Sequence, residues 1–191
     1  CVHVILIVVQ WELLLKKRNG EIENIYDRKY TENLSKDILN KVGFMLCVND
    51  MIFKFRKFKD GNKEYVMDRG HAFEEQLSFN TGHVMNKRIQ DYQKPEFEAK
   101  IPMSIISPTI VSDGRRLLIS PQPISYLSYT FPEKNIRNNV LLESIEFGRF
   151  FKNQNADSLK FLTALRMSST FPYIMPIVTL PTKPTIDVMD S

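Results

Sequence analysis

The run Leu159 to Ser191, LKFLTALRMSSTFPYIMPIVTLPTKPTIDVMDS, restricts the fold of this chain more than any other stretch, because it contains a helix with a fixed stop. Leu159, Leu162 and Leu165, with Phe161 backing Leu165, recur at three- and four-residue spacing, and Asp157 or Ser158 can cap the helix they define. Ser168, Ser169 and Thr170 lead into Phe171 and Pro172, where the helix must end. Proline lacks the N–H donor and disfavours helical geometry in the residue before it. A loop punctuated by Pro176, Pro181 and Pro184 follows, and Thr185 to Asp190 reads as a short strand with Ile186, Val188 and Asp190 on one face. That places the Asp190 carboxyl at a strand's carboxyl end, where ligands and catalytic groups collect in open α/β sheets. Asp187, three residues earlier, faces the other way.

The run Ala164 to Pro172, the proline-rich loop, and Val188-Met189-Asp190-Ser191 resemble the distal half of the patatin-like phospholipases. Ile101 to Ser120, with Pro121 to Leu127 after it, resembles a bacterial branch of the same family. The resemblance implies a three-layer α/β/α domain with a mostly parallel sheet and added β-hairpins. It also implies a serine–aspartate dyad that hydrolyses lipid acyl esters without a cofactor. Asp190 would be the catalytic aspartate. Ser191 stands where the family usually has a glycine, and the sequence contains neither a G-x-S-x-G pair of glycines nor a glycine-rich oxyanion loop. The chain opens on Cys1 and closes in what looks like mid-turn, so residues 1–191 read as a single, incomplete domain whose amino-terminal part is missing and whose nucleophile would lie upstream. A non-catalytic lipid-binding or interaction module on the same fold is the alternative.

The first nineteen residues, CVHVILIVVQWELLLKKRN, are the most apolar. Val2, Val4, Ile5, Ile7, Val8 and Val9 are β-branched, which predicts a buried strand, followed by a helix over Trp11 to Arg18 that stops at Asn19-Gly20. If the family resemblance holds, WELLLKKRNG looks like the end of the long buried helix that follows the nucleophile elbow, and the whole segment could be that helix despite its valines. The uninterrupted apolar part is far short of the ~20 residues a membrane span needs. No transmembrane helix is predicted, and the expected setting is soluble or peripheral to a membrane.

Between Glu21 and Cys47, apolar residues Leu34, Ile38, Leu39, Val42 and Phe44 predict a helix beginning near Asn33 or Ser35. Phe53 and Phe55 alternate with Lys54 and Arg56, Asp60-Gly61 offers a turn, and Tyr65 and Met67 resume the alternation, which predicts a β-hairpin. Its basic, aromatic face raises a nucleic-acid or membrane-surface hypothesis. Solvated lysines over a buried aromatic face explain the pattern more simply, so no nucleic-acid partner is expected. Asp68 begins a capped helix carrying Phe73 and Leu77, and Ser112-Asp113-Gly114 joins two apolar strands within Ile101 to Ser120. Arg115 and Arg116 flank that turn as surface residues that could meet an acidic head group. Val140 to Phe151 reads as a short helix or strand.

Composition excludes more than it suggests. Lysine and arginine exceed aspartate and glutamate by 26 to 22, a modest basic excess common in plain soluble domains. Two distant cysteines and three histidines give neither a disulfide framework nor a zinc pattern. His3, His71 and His83 each stand without a nearby serine or cysteine that the sequence can place, so a structural role is expected for each. The expected partner is a lipid or acyl-ester substrate, met through peripheral contact with a membrane surface.

Overall fold

The computed structural model describes residues 2–26, 28, 32–33, 36–37, 39–50, 57–60, 63–128, 144–170 and 175–180. The fold is mixed α/β. The chain divides into two compact units, Cys1–Asn86 with Ser169–Ile177, and Lys87–Ser168 with Val178–Ser191.

The first unit opens on α1, a single helix over Val2–Arg18, and not on a strand followed by a helix. Propensity costs each β-branched residue only about 0.7 kcal/mol or less in a helix. A helix meanwhile satisfies every internal backbone group without needing a partner strand. On its second half Val9, Leu13 and Leu15 are buried, each such side chain contributing about 1.5–3 kcal/mol, so packing outweighs propensity. Lys16, Lys17 and Arg18 occupy the last turn, where they complement the negative end of the helix dipole. The predicted stop is present: Gly20 takes φ +76°, Glu21 N–H donates to Lys16 O at 2.9 Å and Gly20 N–H to Lys17 O at 3.0 Å. This is a Schellman closure, and its left-handed residue is the glycine.

Helix α2, Leu39–Phe44, continues as a π-helical stretch over Met45–Asp50, and Asp37 Oδ1 accepts the Asn40 N–H at 3.1 Å near its start. Val42 and Met45 are buried. Phe44, which the sequence grouped with them, is 60% exposed, because two residues on from Val42 is roughly the opposite side of a helix. Leu34 and Ile38 of that pattern lie outside the residues whose side chains are described.

Strands β1, Lys57–Asp60, and β2, Lys63–Val66, pair antiparallel with Phe58 opposite Tyr65 and Asp60 opposite Lys63, as the alternation predicts. Phe53 and Phe55 fall outside the described residues. Helix α3, Arg69–Asn80, begins where Asp68 caps it by accepting the His71 N–H at 2.7 Å, and it buries Ala72, Phe73 and Leu77 on one face. Lys41 Nζ reaches Glu75 Oε2 at 2.6 Å and ties α2 to α3.

The second unit begins with a 3₁₀ turn, Ile89–Tyr92, that runs into the short helix α4, Gln93–Phe97. The predicted hairpin follows. Ile106 and Ile119 exchange backbone hydrogen bonds at 2.9 and 2.8 Å, Thr109 bridges Arg116, and Gly114 turns the chain with φ +77°. The returning arm carries β3, Arg116–Leu118, which pairs parallel with β4, Ser144–Glu146. Chain around β3 therefore meets antiparallel and parallel neighbours, and Leu117, Leu118 and Ile119 are all buried. Val140 to Phe151, read as helix or strand, supplies both within its described part: β4, then α5 over Phe147–Phe150.

Helix α6, Phe161–Ser168, starts later than the capping signal predicts. Asn155 is left-handed, Ala156–Ser158 form a 3₁₀ turn, and Leu159 is extended at φ −58°, ψ 132°. Competition for the backbone is the reason. Ile89 N–H donates to Leu159 O and Phe161 N–H to Lys87 O, both at 2.9 Å, so Lys160 is held in an antiparallel bridge to Arg88 and the helix begins only at Phe161. Tyr92 packs on Phe161 with ring centroids 4.6 Å apart, and Ala164 is fully buried, its small side chain allowing close approach.

Candidate functional site

The residues the sequence singles out near the end of the chain are reached only in part. Asp190, Asp187, the strand Thr185 to Asp190, Phe171 and Pro172 all lie outside the described residues. What is described is the element before them. Helix α6 buries Phe161, Leu162, Ala164, Leu165 and Arg166, and its last turn is closed by Ser168 Oγ, which donates to Leu165 O at 3.1 Å. The stop at Ser168 coincides with the small polar run that predicts it.

Unit one contains a serine–histidine contact that sequence spacing alone does not expose. Ser78 Oγ lies 2.8 Å from His83 Nδ1 and donates to Asn86 Oδ1 at 2.7 Å. The backbone that follows α3 creates it. Gly82 at φ +65° and His83 at φ +63° curl the chain back so that His83 N–H reaches Ser78 O at 2.7 Å, and Thr81 Oγ1 donates to Leu77 O at 2.9 Å. A hydroxyl has one proton, and here it goes to the amide oxygen of Asn86. Ser78 is buried. The cluster sits at the end of α3, where His83 N–H returns to Ser78 O. A Thr-Gly pair after an amphipathic helix was the available signal.

In unit two, Glu146 and Glu96 each use a carboxyl group to join one element to another. Glu146, at the end of β4, accepts the Ile124 N–H at 3.0 Å on Oε1 and the Ser125 hydroxyl on Oε2, which fastens the 3₁₀ turn Ser125–Leu127 to the sheet. Glu96, on α4, accepts both the Ser104 N–H at 2.9 Å and the Ser104 hydroxyl at 2.5 Å on Oε1. Burial pushes the Glu96 carboxyl above its ordinary value, and the two Ser104 contacts oppose that only in part. Neither group is visible as special in sequence, because each partner lies outside its own helix or strand.

The remaining candidates are accounted for by local structure. Arg115 pairs with Asp113 through Nε–Oδ2 at 2.7 Å and Nη2–Oδ2 at 2.6 Å, and the hydrogen bond from Arg115 holds the Asp113 carboxyl below its ordinary range. Arg115 thus serves the turn, as a surface arginine does. The Glu75 carboxyl is likewise lowered, chiefly by the hydrogen bond from Lys41 and further by the charges of Lys41 and His71, one turn before it. On the first hairpin Lys57 pairs with Glu64 at 3.1 Å. Among the described residues no group of three or more His, Cys, Asp or Glu side chains is placed to hold a metal ion. No described helix is long and apolar enough to cross a membrane. Compared with known proteins, the chain matches no family model, no curated protein and no solved structure.

Proposed function

We propose that the chain is the distal part of a patatin-like lipid acyl hydrolase, in which a three-layer α/β/α arrangement presents Asp190 as the base of a serine–aspartate dyad. One observation carries the reading. Residue propensity predicts a strand over Val2 to Val9, the family resemblance allows the whole segment to be the long helix that WELLLKKRNG ends, and α1 is continuous over Val2–Arg18. Further support comes from the hairpin within Ile101 to Ser120 and from α6, which ends at Ser168 just ahead of Phe171-Pro172.

The chemistry runs as follows. A serine from a G-x-S-x-G segment, absent from these 191 residues, attacks the ester carbonyl while Asp190 takes its proton, and backbone N–H groups hold the oxyanion. A carboxylate is a weak base at its ordinary value of about 3.9, so Asp190 must be partly desolvated and bonded directly to the hydroxyl. The substrate is a lipid or other acyl ester, met at a membrane surface.

A base without its nucleophile forms no acyl-enzyme, so this chain alone turns over no nitrophenyl ester above a buffer blank. In the full-length protein Asp190→Asn lowers turnover by about 10²- to 10⁴-fold with unchanged circular dichroism. An active Asn variant removes Asp190 from the reaction. The missing G-x-S-x-G motif favours a second reading, a non-catalytic lipid-binding module. Liposome binding by a full-length protein that releases no fatty acid would establish it.

A further inference from the structure

A carboxyl group placed in a protein interior needs either a donor for each oxygen or a proton of its own. Glu96 is 8% exposed and meets this requirement on one oxygen only. Oε1 receives two hydrogen bonds, from the Ser104 N–H at 2.9 Å and the Ser104 hydroxyl at 2.5 Å, while Oε2 is buried and has no hydrogen-bond partner among the described residues. The backbone between the two residues explains why they meet. Ala99, at φ +52°, reverses the chain after α4, with Ala99 N–H donating to Glu96 O at 3.0 Å and Lys100 N–H to Pro95 O at 2.9 Å. Ser104 then lies two residues before Ile106, which bonds to Ile119 in the hairpin. The carboxyl therefore spans the reversal and fixes α4 to the start of the outer hairpin strand.

Among the described residues no cation pairs with this carboxyl. Lys94 and Lys100 on either side are engaged with Glu98, at 3.8 and 2.7 Å. On the 3₁₀ turn packed against α4, Asp91 accepts the Arg88 N–H at 2.7 Å, and Tyr92 is stacked on Phe161 with Lys87 5.5 Å from its ring centre. Burial raises the carboxyl above its ordinary value, and Ser104 is the opposing influence. A proton on Oε2 removes the charge from the side of the group that no donor reaches.

We propose that Glu96 forms a proton-controlled latch between α4 and the hairpin, most stable while the carboxyl carries its proton, because ionisation strengthens the Ser104 hydrogen bonds on Oε1 but leaves charge on the buried Oε2 that no described donor reaches. The direction of the pH effect follows from linkage. The folded state binds this proton more tightly than the unfolded chain, so the stabilisation is complete below the unfolded value of about 4.5 and is lost as pH rises through the higher folded value. A glutamine at position 96 keeps the shape and stays neutral at every pH.

The test compares thermal unfolding midpoints of the wild-type chain and Glu96→Gln from about pH 4 to about pH 8, a range that brackets a raised carboxyl. Taking the difference cancels Glu75, Glu98 and Asp113, whose carboxyls are lowered. The wild-type midpoint is expected to fall relative to the glutamine variant as pH rises. Profiles that stay parallel would overturn the latch. If the variant does not fold, the carbon-13 resonance of the Glu96 carboxyl in the wild-type chain decides: a midpoint above the ordinary carboxylate range supports the latch, and one at or below it overturns the proposal.

Discussion

Glu75 and Glu96 are both helix-borne carboxyl groups with a single principal partner, yet they respond to acid in opposite directions. Glu75, in the first unit, sits half-exposed against the ammonium of Lys41, and ionisation strengthens the contact. Glu96, in the second, sits buried against a neutral serine, and ionisation leaves a buried charge that the serine offsets only in part. The same contrast runs through the units that hold them. In the first, elements are closed by residues a few positions away: Asp68 on His71, Thr81 on Leu77, Gly20 past the end of α1. In the second, Arg88 bridges Lys160 and Arg116 pairs with Ser144, so α6 and β4 wait on distant partners. Near partners define an element by themselves, whereas remote partners define it only when the whole unit is assembled.

The largest expected effect tests the remote half of this contrast. Phe161 is 1% exposed and packs on Tyr92, so Phe161→Ala costs about 3–5 kcal/mol in urea unfolding, through lost transfer energy and the cavity left behind. A loss below about 1 kcal/mol, the size of an ordinary surface change, would mean that unit two does not depend on that packing. A smaller change probes the local half. Asp68→Ala removes the cap on α3 and costs about 1 kcal/mol, with Asp68→Asn restoring most of it. If asparagine fails to rescue, the side-chain bond to His71 N–H is not what starts the helix.

The smallest effect sharpens the pH comparison. Because the folded Glu75 carboxyl is lowered, its contribution is present above the unfolded value near 4.5 and is lost as pH falls through the folded one. Exposure and solvent screening limit it to about 0.2–1 kcal/mol. Lys41→Met should therefore lose stability at neutral pH and match the wild-type chain in acid. Equal losses at both ends of the range would show that Lys41 acts through packing.

What could be read from the sequence follows the same division. Asp68, Asp113-Gly114, Asn19-Gly20 and Ser168 to Thr170 are signals within a few residues of the feature they specify, and each is where the structure turns or caps. Of the two readings of the opening segment, the strand fails because β-branched propensity is weak beside burial, and α6 starts late because a backbone bridge to residues 87–89 holds Leu159 and Lys160. Ser78 with His83, and Glu96 with Ser104, come together across chain reversals at left-handed residues, which side-chain periodicity does not encode. Of the proposed site, the helix leading to it was legible and is present, while Asp190 itself lies beyond the described residues.

The two neighbours of β3 differ in the time they need to arrive. The antiparallel arm is joined to it through the tight turn at Gly114, and hairpins of this kind form in about 1–10 μs. Strand β4 pairs from far along the chain, and closing so long a loop has an entropic cost before any ladder bond forms. During refolding the hairpin should therefore be protected from solvent exchange first, and β4 should dock onto a template that is already standing.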